Sequence, residues 1–271
     1  MKKGYQLYSA RAAMKKDFAG TLRRVREIGY EEVEFAGFFG KTAEETRDLL
    51  DELGLRAVCT HTSLDDLLAD PDGQIAFHKK IGAAYVAVPW LDEDRRPGGR
   101  YFARTIRALR ELGEKLADNG IGLLYHNHDF EFTPVSGQPG LDFLLDAVDA
   151  RWLNAELDTC WINIAGCGVV SYIEKYRGRC PILHLKDFEG APENKERLLD
   201  LVGTADGTRR RKEFAFRPFG HGEQDADAVM GAALRCHIPH VVVEQDDSGE
   251  LDPLDAAEMS LHTVEKYLCD I

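Results

Sequence analysis

The chain alternates between two hydrophobic rhythms. Short apolar runs of strand length are followed by longer segments in which apolar residues recur every three or four positions. Residues 5–8 read as a first strand. Phe18, Leu22, Val25 and Ile28 then mark a helix closed by Gly29, and 32–35 give a second strand. Thr42-Ala43-Glu44-Glu45 has the form of a capping box and opens a helix through Leu49, Leu50 and Leu53 to Gly54. Residues 55–61 form a third strand, a helix covers 75–81, and 85–90 form a fourth. After a charged loop at 92–100, Ile106, Leu109, Leu112 and Leu116 share the face of a long helix that Asn119-Gly120 ends.

The fifth strand begins at Leu123. Strands are then expected at 154–158, 182–186 and 240–244, and helices at 141–148, 169–176, 227–234 and from Asp252-Pro253 to Leu268. Eight short apolar strands alternating with eight helices predict a single α/β domain over 1–271, a (β/α)8 barrel with its site at the C-terminal ends of the strands. A doubly wound open sheet is the alternative, and no GxGxxG follows the first strand to support it. The stretch 188–223 is far longer than an ordinary connection and reads as a lid or binding loop. Near its end His221 lies between Gly220 and Gly222, which suits close approach of backbone to ligand. His221 and the nearby Arg217 are therefore candidate substrate contacts.

Several strands run straight into polar residues. Leu123-Leu124-Tyr125 leads to His126-Asn127-His128-Asp129-Phe130-Glu131, and Leu157 to Asp158. Ile182-Leu183 leads to His184-Leu185-Lys186-Asp187, and Val241-Val242-Val243 to Glu244-Gln245-Asp246. Such ends meet in space only if the strands are parallel neighbours. Side chains two apart share a face, so Glu156 goes with Asp158, Lys186 with His184, Asp246 with Glu244, and His126 with His128.

Glu131, Asp158, His184 and Glu244 make an oxygen-rich set with one imidazole. It suits Mn(II) first, and Mg(II), Co(II) or Zn(II) as well. Each residue has a plainer reading: His184 as a hydrogen-bonded core histidine, Glu244 as a salt-bridge partner, Asp158 as a helix cap. Glu131 lies beyond its strand, and His126 is its replacement as first ligand. His126 or His128 would serve as general base and Lys186 as a further acid/base or oxygen-binding group. His61 and Trp90, at their strand ends, would supply a polar contact and an apolar wall. Trp152 and Trp161 read as core.

Composition narrows the partners. With 47 acidic and 34 basic residues the net charge is −13, which opposes binding to a polyanion such as nucleic acid. The basic run Thr208-Arg209-Arg210-Arg211-Lys212 reads as a solvated loop. Six cysteines without CxxC spacing (Cys59, Cys160, Cys167, Cys180, Cys236 and Cys269) indicate reduced thiols, and Cys160 could line the site. With no signal-peptide pattern and no membrane-length apolar run, a cytoplasmic location is expected.

These strand ends, with Gly220-His221-Gly222-Glu223, resemble the xylose isomerase-like, or sugar phosphate isomerase/epimerase, superfamily of barrels along essentially the whole chain. The resemblance implies one divalent cation held by Glu, Asp, His and Glu on successive later strands, acting on a keto or hydroxy sugar, in a protein that forms dimers or tetramers. Three ligands fall on Asp158, His184 and Glu244. The chain departs at the first, with His126 where the epimerases place a strand glutamate. That shifts the likeness toward inosose dehydratases and enzymes of 3-keto sugars or 3-keto glycosides, and the 34–39 stretch EFAGFF also resembles the inosose dehydratases. The expected chemistry is metal-assisted proton abstraction next to a carbonyl, ending in isomerisation, epimerisation or elimination. An apurinic-site endonuclease on the same barrel is opposed by the charge, and a non-catalytic sugar-binding barrel is the alternative outside enzymes.

Overall fold

A computed structural model describes residues 1–190 and 214–268. Eight parallel strands close into a barrel: β1 (Lys2–Gln6), β2 (Glu32–Phe35), β3 (Arg56–His61), β4 (Tyr85–Val88), β5 (Gly122–His126), β6 (Asn154–Asp158), β7 (Ile182–Leu185) and β8 (His240–Val243). Each strand pairs with its neighbour in sequence, and β8 pairs with β1 to complete the ring. This is the (β/α)8 architecture that the alternation of rhythms predicts.

Helices pack outside, among them α1 (Phe18–Ile28), α2 (Ala43–Leu53), α3 (Pro71–Ile81), α4 (Phe102–Ala117), α5 (Gly140–Asp146), α6 (Val169–Lys175), α7 (Ala226–Arg235) and α8 (Pro253–Leu268). The capping box of α2 forms as expected, with Thr42 Oγ1 accepting from Glu45 N–H at 3.1 Å and Glu45 Oε2 from Thr42 N–H at 2.9 Å. Among the described residues no helix is long and apolar enough to cross a membrane.

The first strand lies earlier than expected. Gln6 ends it by accepting a hydrogen bond from Tyr8 N–H, and 7–10 turn as a 3₁₀ helix that buries Leu7 and Ala10. β4 stops at Val88 because Pro89 has no N–H to continue the ladder. The expected long loop is partly ordered: Asp187–Glu189 pairs antiparallel with Ala215–Arg217. Residues 191–213, which include the basic run, lie outside the described residues, as does Cys269.

Strand alternation separates two cores. Leu123 and Tyr125 of β5 join the large core between barrel and helices, whereas Leu124 joins Val58, Cys59, Ala87, Ile182 and Val242 inside the barrel. A bulge interrupts the alternation in β3, where Val33 pairs with Ala57 but Glu34 pairs with Cys59. Val58 and Cys59 therefore both face inward. Thr60 then faces outward, where its hydroxyl lies 3.5 Å from His78 Nδ1, and His61 faces inward. The bulge puts an imidazole on the inner wall.

Candidate active site

Directly above the inner apolar cluster the barrel interior becomes polar. Two residues further along β5, β7 and β8, Leu124, Ile182 and Val242 give way to His126, His184 and Glu244. A cavity of about 280 Å³ opens over them. Tyr8, Pro89 and Trp90 form its apolar wall, and His61, His126, His128, Lys186, Glu244 and Asp246 its polar one.

The end of β6 is held from several directions. Asp158 Oδ1 accepts from Trp161 N–H at 2.9 Å and caps the short helix Thr159–Ile164. Asp158 N–H donates to Asn127 Oδ1 at 3.0 Å, and Thr159 Oγ1 accepts from Lys186 N–H at 3.2 Å, which ties β6 to the ends of β5 and β7. Capping consumes one carboxylate oxygen and leaves the other. Asp158 Oδ2 is buried without a hydrogen-bond partner, 4.0 Å from His126 Nε2 and 3.7 Å from Lys186 Nζ.

His126, Asp158, His184 and Glu244 each offer one ligand atom, and all four atoms lie within 4.8 Å of one another. Two ligands of one cation with bonds near 2.1 Å stand about 3–4 Å apart, so the gap between Asp158 Oδ2 and His126 Nε2 is too long for a hydrogen bond and right for a shared ion. The donor set, two imidazoles and two carboxylates without thiolate, suits Mn(II), Co(II) or Zn(II).

Electrostatics divide the histidines. Burial outweighs all else at His126 and holds it well below the usual imidazole range, leaving it neutral and able to coordinate. His128 is lowered in the same way by burial and by the charge of Lys186, and its Nδ1 has no hydrogen-bond partner. At His61 burial is outweighed by the charges of Glu34 and Glu156, which push it up to about 10. His184 is also raised despite burial, by Glu34 and Glu156. Lys186 stays cationic because Asp246 at 2.6 Å, Glu244 at 3.1 Å and Asp158 overcome the penalty of burial. Burial raises Asp158 to about 7.

Of the residues singled out in the sequence, His61, Trp90, His126, His128 and Lys186 line the cavity, and Asp158, His184 and Glu244 gather with His126 at its floor. Glu131 does not join them. The single helical turn after His128 points it back behind β5, where its carboxylate accepts from Tyr125 Oη–H and His128 N–H, both at 2.7 Å, and burial pushes it up to about 8. His126 takes its place.

Arg217 and His221 are not in the cavity wall either. Arg217 pairs at 2.8 Å with Glu189 across the hairpin, and His221 is exposed. The glycines beside His221 do permit a close approach, but to Asp187: Gly220, Gly222 and Gln224 donate backbone N–H to its carboxylate at 2.9–3.0 Å. A Cβ on Gly222 would stand 2.3 Å from Asp187 Oδ1. Cys160 is likewise outside the cavity wall, packed with Trp161, Phe188 and Phe216. The five described cysteines are free thiols.

Three carboxylates went unselected as site residues in the sequence. Asp246 lines the cavity, and Glu156 and Glu34 lie just beneath the floor, all buried. Period two had placed Glu156 and Asp246 on the right face; Glu34, in the short run Glu32-Val33-Glu34-Phe35, carried no such signal.

The family model described as the xylose isomerase-like TIM barrel matches residues 22–261. The chain belongs to that family. Its members include isomerases, epimerases and dehydratases, and the family's barrel is the one described above. No curated protein sequence matches the chain. Among solved structures it is similar to a sugar phosphate isomerase/epimerase from Parabacteroides distasonis ATCC 8503, at 19% identity and a TM-score of 0.77, covering 98% of this chain and 95% of that one. It is as similar to the probable 3-DHS dehydratase AsbF of Bacillus anthracis, at 17% identity and a TM-score of 0.77, covering 97% and 99%. The IOLI protein, solved with a bound zinc atom, matches at 14% identity and a TM-score of 0.73, covering 100% and 99%. At such identities the likeness is one of fold.

Proposed function

We propose that this family member is a divalent-metal-dependent isomerase or epimerase that abstracts a proton next to the carbonyl of a keto sugar or related polyol. The observation that carries this reading is the buried Asp158 Oδ2, which accepts no hydrogen bond and faces His126 Nε2, with His184 and Glu244 completing a four-residue set on a cavity floor. His126, Asp158, His184 and Glu244 are the proposed ligands and Mn(II) the proposed metal. Bound there, the ion would act as a Lewis acid on a substrate carbonyl and its neighbouring hydroxyl.

The chain's own groups supply the proton chemistry. His128, neutral and with Nδ1 unpaired on the cavity wall, is the general base. Lys186, held cationic by three carboxylates, donates to substrate oxygen as negative charge develops there. Trp90 offers an apolar face to the carbon-bound hydrogens of a sugar ring. Lys186 is the only lysine or arginine among the described cavity-lining residues and is already committed to carboxylates, which favours an unphosphorylated sugar.

A second reading, elimination of water from an inosose or of the aglycone from a 3-keto glycoside, is favoured by His61. Its imidazolium lies on the same cavity wall, and elimination needs a proton donor for the departing oxygen whereas simple return of the proton does not. The test is proton exchange in D2O over a panel of keto sugars, before and after EDTA and after Mn(II) is restored. Exchange should stop with EDTA and return with Mn(II), and formation of an unsaturated product would select the elimination. Exchange indifferent to EDTA would reject the metal-dependent scheme.

A further inference from the structure

The two proposed histidine ligands share a feature that the cation site alone does not account for. Each turns one ring nitrogen toward the site and the other toward a buried carboxylate beneath it. His184 Nδ1 lies 3.1 Å from Glu244 Oε2, and its Nε2 lies 2.7 Å from Glu34 Oε2. His126 Nε2 lies 4.0 Å from Asp158 Oδ2, and its Nδ1, which makes no hydrogen bond, has Glu156 Oε2 facing it at 3.5 Å. His61 Nε2 bridges the two lower carboxylates, 3.2 Å from Glu34 Oε1 and 2.9 Å from Glu156 Oε2. His184 Nε2 also reaches Glu156 Oε1 at 3.4 Å, which closes a ring of two carboxylates and two imidazoles.

This arrangement makes a physical demand. An imidazole that gives up one ring proton to a metal keeps one N–H and offers one lone pair, so a carboxylate at one nitrogen holds the remaining proton there and leaves the lone pair on the other. Glu34 and Glu156 are entirely buried, and two anions so close in the barrel interior need a cation between them, which His61 supplies. The groups come from opposite sides of the ring: Glu34 from β2, His61 from β3, Glu156 from β6 and His184 from β7.

We propose that Glu34 and Glu156, bridged by His61, are positioning residues that fix the tautomers of His184 and His126, so that Nδ1 of His184 and Nε2 of His126 present lone pairs to the divalent cation. This inference rests on the cation site proposed above. The ring touches the cation only through the two histidines, and its effect is read in the affinity for metal rather than in proton transfer.

The experiment titrates Mn(II) into the whole protein, followed by the electron paramagnetic resonance of free Mn(II), for the native chain, Glu34→Gln, Glu156→Gln and Glu34→Asp. Thermal unfolding confirms that each variant is folded. The native protein should bind one ion, and the two glutamine variants should bind it about 10- to 100-fold more weakly while remaining folded. Glu34→Asp, which keeps the charge, should recover part of the loss even if Glu34→Gln proves too unstable to titrate. Native affinity in both glutamine variants would overturn the proposal. So would two ions in the native protein and one in each variant, because the carboxylates would then be ligands themselves. A native chain that binds no Mn(II) overturns the cation site and the positioning role together, and is thereby distinct from the case in which only the variants behave as native.

Discussion

The inside of this barrel is two environments stacked on the same strands. In the lower one, Val58, Cys59, Ala87, Leu124, Ile182 and Val242 pack as an ordinary apolar interior. In the upper one, Glu34, His126, Glu156, Asp158, His184 and Lys186 are as deeply buried, His61 nearly so, and all seven are ionisable. One step of two residues along a strand separates them. Burial alone therefore does not decide what an interior position does. In the upper layer each charge is held by opposite charges from strands across the ring, and His61 against His78 shows the difference. Both histidines are largely withdrawn from water, but His61 between Glu34 and Glu156 is pushed up to about 10, whereas His78, behind the barrel wall beside the Thr60 and Thr62 hydroxyls, is pushed down to about 4 by burial.

The contrast can be broken at three places. The largest effect is expected at His128 in the upper environment. His128→Gln should lower turnover about 10²- to 10⁴-fold while Mn(II) affinity stays native, because the base is removed and the ligands are not. Steady-state kinetics beside a metal titration checks this, and a parallel loss of affinity would make His128 a ligand instead. In the lower environment the expectation reverses. Ile182→Ala should destabilise the fold by about 2–4 kcal/mol through lost burial and an unfilled cavity, measured by urea unfolding, with metal affinity unchanged.

The smallest effect concerns His78. Its folded value of about 4 lies below the ordinary 6.5, so the unfolded chain binds more protons in that window. Stability is then fully present above pH 6.5 and is lost as pH falls toward 4, by at most about 3 kcal/mol. His78→Gln should flatten that acid limb in unfolding curves taken from pH 7 to pH 4. An unchanged limb would locate the acid sensitivity elsewhere.

The barrel and most of the floor were legible because apolar strands that end in polar residues betray which end is the mouth. Period-two alternation carried that further, setting Glu156 beside Asp158 and Asp246 beside Glu244. It could not reveal Glu34, whose partner His184 stands 150 residues away and whose strand is only four residues long. Glu131 misled for the opposite reason, since a turn of helix after His128 bends the chain back and the carboxylate finds Tyr125 first. The glycines around His221 suggest a close approach of backbone to ligand, whereas the group they approach is Asp187, which nothing in the local sequence reveals.

The extra residue in β3 makes sequence length near Val58 a determinant of chemistry rather than of architecture. Without the bulge, strict alternation from Ala57 would turn Thr60 toward the cavity and His61 toward the helices, so a relative with a regular strand keeps its histidine on the inner wall only with one residue fewer. An alignment that opens a single-residue gap there keeps the inner walls superposed, whereas one that closes it up sets Thr60 against the relative's histidine, so indels at this point are the ones to inspect before any activity is transferred between homologues.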